Sequence, residues 1–276
     1  MNSAEKFELG EYDCWALSDG QFSYPGSLIF PSEAQPPEHV PMLCTALLID
    51  TGTTRVLIDT GAGTMTADTG KLPESLQAAG FKTDDIDVAI LSHAHADHIG
   101  GLHEFPRAEL IMLQEEFDFW MGAETQRRLE AGQLYGLGPI ELQTATCIRE
   151  QLVPARERLR LLHGESEVAP GILVVPAPGH TPGHAAVLIS SRGQQLLYIG
   201  DSVVHLLHFD HPGWVSLLDL SPEQTVTTRR QLFDRAASDR CLLAGFHLPG
   251  GVGNVEARQS RYSWEPLSAR SRAVAK

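Results

Sequence analysis

The residues with the most chemistry in them lie in one stretch, Ser92-His93-Ala94-His95-Ala96-Asp97-His98-Ile99-Gly100-Gly101, at the end of the apolar run Val88–Leu91. His93 and His95 are two apart, so in extended backbone both imidazoles leave the same face. A turn after them brings Asp97 and His98 to the same region, and Gly100-Gly101 permits tight backbone geometry there. The intervening alanines keep space free for an ion. Four nitrogen or carboxylate ligands within six residues suit Zn²⁺ and its neighbours. Without a cation the same four groups, clustered in one loop, would repel or compete.

Three more polar residues end apolar runs. His180 lies in Ala177-Pro178-Gly179-His180-Thr181-Pro182-Gly183-His184, Asp201 closes Leu196-Leu197-Tyr198-Ile199-Gly200-Asp201, and His247 closes Cys241-Leu242-Leu243-Ala244-Gly245-Phe246-His247. Each sits at a strand end, where ligand-binding groups gather. Taken singly, any of them would more often be a satisfied core or rim residue. No serine or cysteine nucleophile is needed, and Cys14, Cys44, Cys147 and Cys241 fall outside these stretches.

Elements must position these residues. Short apolar runs predict buried strands at Tyr12–Leu17, Leu43–Ile49, Arg55–Ile58, Val88–Leu91, Glu109–Leu113, Ile172–Val175, Ala185–Ile189, Leu196–Ile199 and Cys241–Phe246. Helices are predicted at Leu72–Ala79, stopped by Gly80, and at Pro222–Ala237 after Ser221, with Ser221 as N-cap and Pro222 at N1. Ser18–Met42, with five prolines, reads as a Pro-rich, mostly loop N-terminal arm. Gly122–Leu159 reads as a helical insertion broken by glycines. Residues 266–276 read as a frayed tail. The chain as a whole, 1–276, reads as a single domain. Periodicity alone leaves open whether the strands form two packed sheets or one doubly wound sheet.

The 276 residues are 42% hydrophobic, and Lys+Arg 21 against Asp+Glu 35 gives a net charge of −14. Such a surface disfavours nucleic acid and anionic lipid as partners. No apolar run approaches the roughly 20 residues of a membrane span, and MNSAEKFELGEYD has no apolar leader core. Four cysteines without CxxC spacing suit reduced thiols. The expectation is a cytoplasmic protein.

The ordered set His93-Ala94-His95-Ala96-Asp97-His98, Gly179-His180-Thr181-Pro182-Gly183-His184, Gly200-Asp201 and Ala244-Gly245-Phe246-His247, with the early Leu57-Ile58-Asp59-Thr60-Gly61, resembles the metallo-β-lactamase superfamily. Within it the chain is most similar to the branch of methyl parathion hydrolase and quorum-quenching lactonases, through Ala16-Leu17-Ser18-Asp19-Gly20, Asp118-Phe119-Trp120 and His247-Leu248-Pro249. The resemblance implies an α/β fold, a four-layer αββα sandwich with the metal site at one edge of the two sheets. It implies two divalent metal ions, zinc above all. His93, His95 and His180 would hold one, Asp97, His98 and His247 the other, and Asp201 would bridge them. Asp59 would support a ligand imidazole or merely cap a turn, and His184 would support rather than coordinate. His39, His103, His163, His208 and His211 read as ordinary polar histidines.

The implied chemistry is hydrolysis of an ester, lactone or phosphotriester, because paired cations lower the pKa of a bridging water from 15.7 to about 7. Asp97 and Asp201 would be the catalytic carboxylates, with Asp97 passing a proton. The acyl-homoserine lactonases carry a tyrosine shortly after the bridging aspartate, where this chain has Ser202, Val203 and Val204. Trp120, Phe22, Tyr24, Phe30, Phe209 and His205 are candidates for a pocket around a small hydrophobic substrate, or else plain packing. The alternatives are an acyl-homoserine lactonase, a thioesterase, a β-lactamase-like enzyme, or a binding protein that has lost catalysis. The Pro-rich arm suggests a homodimer.

Overall fold

The computed structural model describes residues 3–267. Within them fourteen strands form two seven-stranded sheets. The first holds, in spatial and chain order alike, β1 (Ala4–Leu9), β2 (Tyr12–Pro25), β3 (His39–Asp50), β4 (Arg55–Ile58), β5 (Val88–Ile90), β6 (Glu109–Leu113) and β7 (Leu159–Leu162). The second holds β8 (Ser166–Ala169), β9 (Ile172–Pro176), β10 (Ala185–Ser191), β11 (Gln194–Tyr198), β12 (Leu242–Ala244), β13 (Val252–Arg258) and β14 (Arg261–Pro266).

Side-chain alternation explains why the sheets pack face to face. Val88 and Ile90 of β5 join Ala185, Val187 and Ile189 of β10 in the core between the sheets. Ala89 of β5 turns outward onto helices that include Leu72–Ala78 and Gln114–Met121. Ala186 and Leu188 turn the other way, onto helix Pro222–Ser238. A strand buried on both faces reads as an uninterrupted apolar run, which is how these strands appear in the sequence. The layers are therefore helix, sheet, sheet, helix. Parallel pairs β4–β5, β5–β6, β6–β7 and β11–β12 require crossovers. Those crossovers form the outer helices, and two of them, β5–β6 and β11–β12, begin at strand ends where candidate ligands stand.

Several expectations need correction. Ser18–Met42 is not mostly loop: β2 and β3 form a long hairpin, from Asp13 paired with Asp50 to Pro25 paired with His39. A short helix, Gly26–Ile29, follows β2. Proline is tolerated because Pro25 ends its strand, and β3 pairs β4 only over Leu47–Asp50, so Pro41 lies where β3 has a free edge. Ser221 stands at the N-cap of Pro222–Ser238 but makes no side-chain cap bond. Its backbone N–H goes instead to the Gly179 carbonyl, and that of Leu220 to the His180 carbonyl, which ties the helix start to the His180 loop. Gly80 does sit just past the helix Leu72–Ala78, at φ 93°. β1, β7, β8, β13 and β14 have no counterpart among the predicted strands. The 266–276 tail lies, from residue 268 on, outside the described residues. Among the described residues no helix is long and apolar enough to cross a membrane, and all four cysteines are unpaired.

The hairpin carries an irregularity at Ser18/Gly20 that turns Asp19 inward. Its buried carboxylate accepts the N–H groups of Ala62, at 2.7 Å, and Leu72, at 2.8 Å, and so fixes the loop running from Asp59 to the first crossover helix. Burial pushes the Asp19 carboxyl up to about 6, against the opposing pull of those backbone donors. The folded chain thus holds a proton that the unfolded chain has already released between pH 3.8 and about 6. The stabilisation is complete below that window and is lost as pH rises through it. Urea unfolding of the parent and Asp19→Asn across this range should show the parent's advantage shrinking with rising pH, by on the order of 2–3 kcal/mol. Parallel curves would remove Asp19 from this role.

Candidate metal centre

All seven predicted ligands meet at one edge of the sandwich. Past β5, Leu91 donates to the Ile111 carbonyl at 2.8 Å, so the chain stays extended through His93. His95 is still extended, at φ −69° and ψ 153°, and the helix Ala96–Ile99 then turns Asp97 and His98 inward. His180 comes from the loop between β9 and β10, Asp201 from the turn after β11, and His247 from the segment after β12. The first loop belongs to one sheet and the other three residues to the second.

Two sets of ligand atoms converge, His93, His95, His180 and Asp201 in one and Asp97, His98, Asp201 and His247 in the other, with Asp201 in both. In the first, His95 Nδ1 lies 2.9 Å from His93 Nε2 and 3.0 Å from His180 Nε2, and His180 Nε2 lies 3.4 Å from Asp201 Oδ2. In the second, His98 Nε2 is 3.2 Å from Asp201 Oδ1, and His247 Nε2 is 3.3 Å from Oδ2 of both Asp97 and Asp201. Ligands on a tetrahedral ion with bonds of about 2.0–2.1 Å stand about 3.3 Å apart, so both sets fit. His98 Nε2 and Asp201 Oδ1 are buried and lack hydrogen-bond partners, and the donors are imidazole nitrogen and carboxylate oxygen with no thiolate. That set suits a zinc-like divalent ion.

The outward ring nitrogens are held too, as metal imidazoles require. His98 Nδ1 meets Asp59 Oδ2 at 2.8 Å, His180 Nδ1 meets Asp219 Oδ1 at 2.9 Å, and His247 Nδ1 donates to the Leu43 carbonyl at 2.6 Å. His93 Nδ1 lies 3.1 Å from Ser92 Oγ. His95 is turned the other way: its Nδ1 faces inward and its Nε2 meets the Tyr135 hydroxyl at 2.7 Å. Asp59 is no turn cap. It sits at φ 61°, and its carboxylate also accepts from Ser92 N, Ser92 Oγ and the Tyr198 hydroxyl. His184 Nε2 accepts the Asp201 N–H at 3.0 Å, and its Nδ1 donates to the Ala177 carbonyl.

Charge divides the centre. Burial opposes the cationic forms of His98 and His247, but Asp201 and Asp97 raise both, His98 well above the ordinary range with added help from Asp59, and His247 to about 9. Burial and neighbouring imidazoles hold His93 well below its ordinary value and His95 at about 3. Against burial, the cationic histidines keep Asp201 well below the carboxylate range and lower Asp97. His93 and His95 are thus ready as neutral imidazoles, whereas His98 and His247 exchange protons for a cation.

The aromatic candidates separate. Tyr24 lines the cavity over the ligands, a space of about 20 Å³ shared with Met42, Met65, Tyr135, Val204 and Leu218. Phe22 packs on Tyr24 at 5.0 Å and lies 6.2 Å from His247. The rest do not line it. Trp120 is fully buried beneath His95, 5.5 Å away. Phe30 packs between His205, at 5.2 Å, and Trp214, and neither Phe30 nor His205 lines the cavity. Phe209 stacks on Phe233 and Trp264 in the outer core. His208 is not an ordinary polar histidine either: it is fully buried, 5.7 Å from Phe30, and burial holds its pKa well below the usual range. Met65 and Gln143 also line two outer grooves of about 280 and 350 Å³, so these two residues stand between the ligands and more spacious surface.

Sequence reasoning missed Ser92, Glu116, Tyr135, Tyr198 and Asp219. Glu116 is the most connected. Its buried carboxylate accepts Ala94 N at 3.0 Å, Trp120 Nε1 at 2.6 Å, Thr181 Oγ1 at 2.7 Å and Gly183 N at 3.0 Å. It therefore joins the loop of His93 and His95 to that of His180. A Cβ at Gly183 would stand 2.0 Å from Glu116 N, which explains that glycine. Spacing could not reveal Glu116, since one acid in an amphipathic helix has no local signature.

Comparison with known proteins agrees with this geometry. The family model of the metallo-beta-lactamase superfamily matches residues 39–240. A probable metallo-hydrolase of Mycobacterium tuberculosis is 30% identical over 169 residues, 59% of this chain and 52% of that protein. An N-acyl homoserine lactonase of Bacillus cereus is 29% identical over 124 residues, 45% of this chain and 41% of that protein. The chain spans about half the length of the curated relatives it matches. Among solved structures, AidC, a dizinc quorum-quenching lactonase in complex with a product, aligns at TM-score 0.85 and 27% identity over 96% of this chain and 98% of that one. The hydrolase AbOPH, at TM-score 0.86 and 24% identity over 97% and 98%, shares the fold.

Glu116→Gln should separate the two ligand sets. An amide cannot accept four donors, so the His93, His95 and His180 set should lose metal affinity by about 10–100-fold. The Asp97, His98 and His247 set should keep its ion. Calorimetric titration of the metal-free variant with Zn²⁺ should resolve one tight and one weakened equivalent; two unchanged equivalents would dismiss Glu116 as a positioning residue.

Proposed function

Since the chain belongs to the metallo-β-lactamase superfamily, we propose that it is a dinuclear zinc hydrolase that opens a lactone or ester of a small hydrophobic substrate. The observation that carries this reading is the pair of four-ligand sets sharing Asp201. His93, His95 and His180 would hold one ion, Asp97, His98 and His247 the other, with Asp201 common to both. Bound there, two divalent ions supply a water activated at neutral pH and a Lewis acid for the acyl oxygen.

The chain's own residues do the rest. Asp97 meets His98 and His247 through Oδ2, and its Oδ1 takes up a proton and returns it to the leaving oxygen. Met42, Met65, Val204 and Leu218 exclude bulk water and favour an uncharged substrate. Likeness to lactonases supports lactones, with N-acyl homoserine lactones first among them, ahead of aryl esters and phosphotriesters. A cytoplasmic setting and a homodimer through the β2–β3 hairpin belong to the same reading.

The zinc-loaded protein should hold about two equivalents per chain and turn over acyl-homoserine and simple γ-lactones faster than an aryl ester, a phosphotriester or a β-lactam. His95→Ala and Asp201→Asn should each lower kcat/KM by at least about 100-fold. Undiminished turnover in both would end the proposal.

A further inference from the structure

The reversed orientation of His95 has a consequence for its neighbour. His95 Nδ1 is the nitrogen that closes on His93 Nε2 and His180 Nε2, at 2.9 and 3.0 Å. A neutral imidazole that offers Nδ1 as ligand carries its proton on Nε2. Nε2–H therefore donates, and the acceptor 2.7 Å away is the Tyr135 oxygen. A phenol that accepts in this way still has its own proton to place. Tyr135 lines the cavity formed with Asp97, Asp201, His95 and His247, so the cavity is where that proton can go.

The residue is also held ready. Its flanking backbone N–H groups, those of Leu134 and Leu137, are both accepted by the buried Glu141 carboxylate, Leu137 N at 2.7 Å. Gly136 and Gly138, at φ 75° and 55°, give the loop the backbone freedom this clasp demands. On the second sheet's side, Val204 lines the cavity after Asp201 with an aliphatic side chain and offers no donor.

We propose that Tyr135 is a substrate-binding hydrogen-bond donor: oriented by His95 Nε2–H, its hydroxyl engages the oxygen of a lactone or ester that gains charge during hydrolysis. The role rests on the hydrolase reading above and deepens it. It assigns the 122–159 segment, otherwise a cover, a direct part in recognising acyl oxygen, and it requires a substrate with an acceptor at that point.

The test is Tyr135→Phe, which keeps the ring and removes the donor, with circular dichroism as the check on folding. Zn²⁺ content by mass spectrometry should stay at about two per chain. Binding of 4-hydroxybutyrate, the hydrolysis product of γ-butyrolactone, should weaken about 10-fold by calorimetry, and kcat/KM for lactones should fall about 10–100-fold, as expected for one lost hydrogen bond to a charged group. Unchanged binding and turnover would overturn the proposal and leave the hydrolase reading standing. Loss of zinc in step with activity would also overturn it, since the phenol would then act only through His95. A parent protein with two zinc ions that opens no ester or lactone would sink the hydrolase reading, and this role with it.

Discussion

Two carboxylates and five imidazoles are buried at one sheet edge with their lone pairs aimed at common points, and the rest of the structure answers to that. Such groups repel or compete when desolvated unless a positive charge sits among them. Protons on His98 and His247 supply part of that charge beside Asp97 and Asp201, while His93 and His95 stay neutral. The asymmetry makes the two ligand sets chemically unlike although they share Asp201.

Holding seven ligands in register takes a framework that spans both sheets. Asp59, following β4, reaches Tyr198 of β11 across the sandwich and His98 and Ser92 within its own sheet. Its left-handed backbone costs about 1–3 kcal/mol, a strain offset by four hydrogen bonds to one carboxylate. Glu116 performs the matching task on the other side, joining the His95 and His180 loops. Asp219 adds a third brace, accepting from Ser216 N while it fixes His180. Three carboxylates that are not ligands thus position four imidazoles that are, those of His93, His95, His98 and His180.

The cavity is covered by the β2–β3 hairpin with Tyr24 and Met42 and the 122–159 segment with Tyr135 and Gln143, together with Met65, Val204 and Leu218. Both covers also hold ligands from outside, the hairpin through the Leu43 carbonyl on His247 and the 122–159 segment through the Tyr135 hydroxyl on His95. The hairpin was misread as loop because prolines at a strand end and along a free edge look, in sequence, like prolines that forbid a strand. The aromatic candidates divided for a related reason: Trp120 and Phe209 have the composition of a pocket, but burial under His95 and against Phe233 depends on partners far away in the chain.

By itself the sequence determined what short-range periodicity and ligand spacing can encode. It specified strands buried on both faces, the helix Pro222–Ser238, four ligands in the six residues 93–98, and three others marked by the strands they end. Only the tertiary structure decided which sheet edge gathers them, that His95 turns its other nitrogen inward, that Asp59, Glu116 and Asp219 hold the site from behind, and that Tyr135 meets His95 from the cavity wall. Those roles lie in contacts between segments 22 to 139 residues apart, and a hydrogen-bond partner at that separation leaves no periodic trace in the chain.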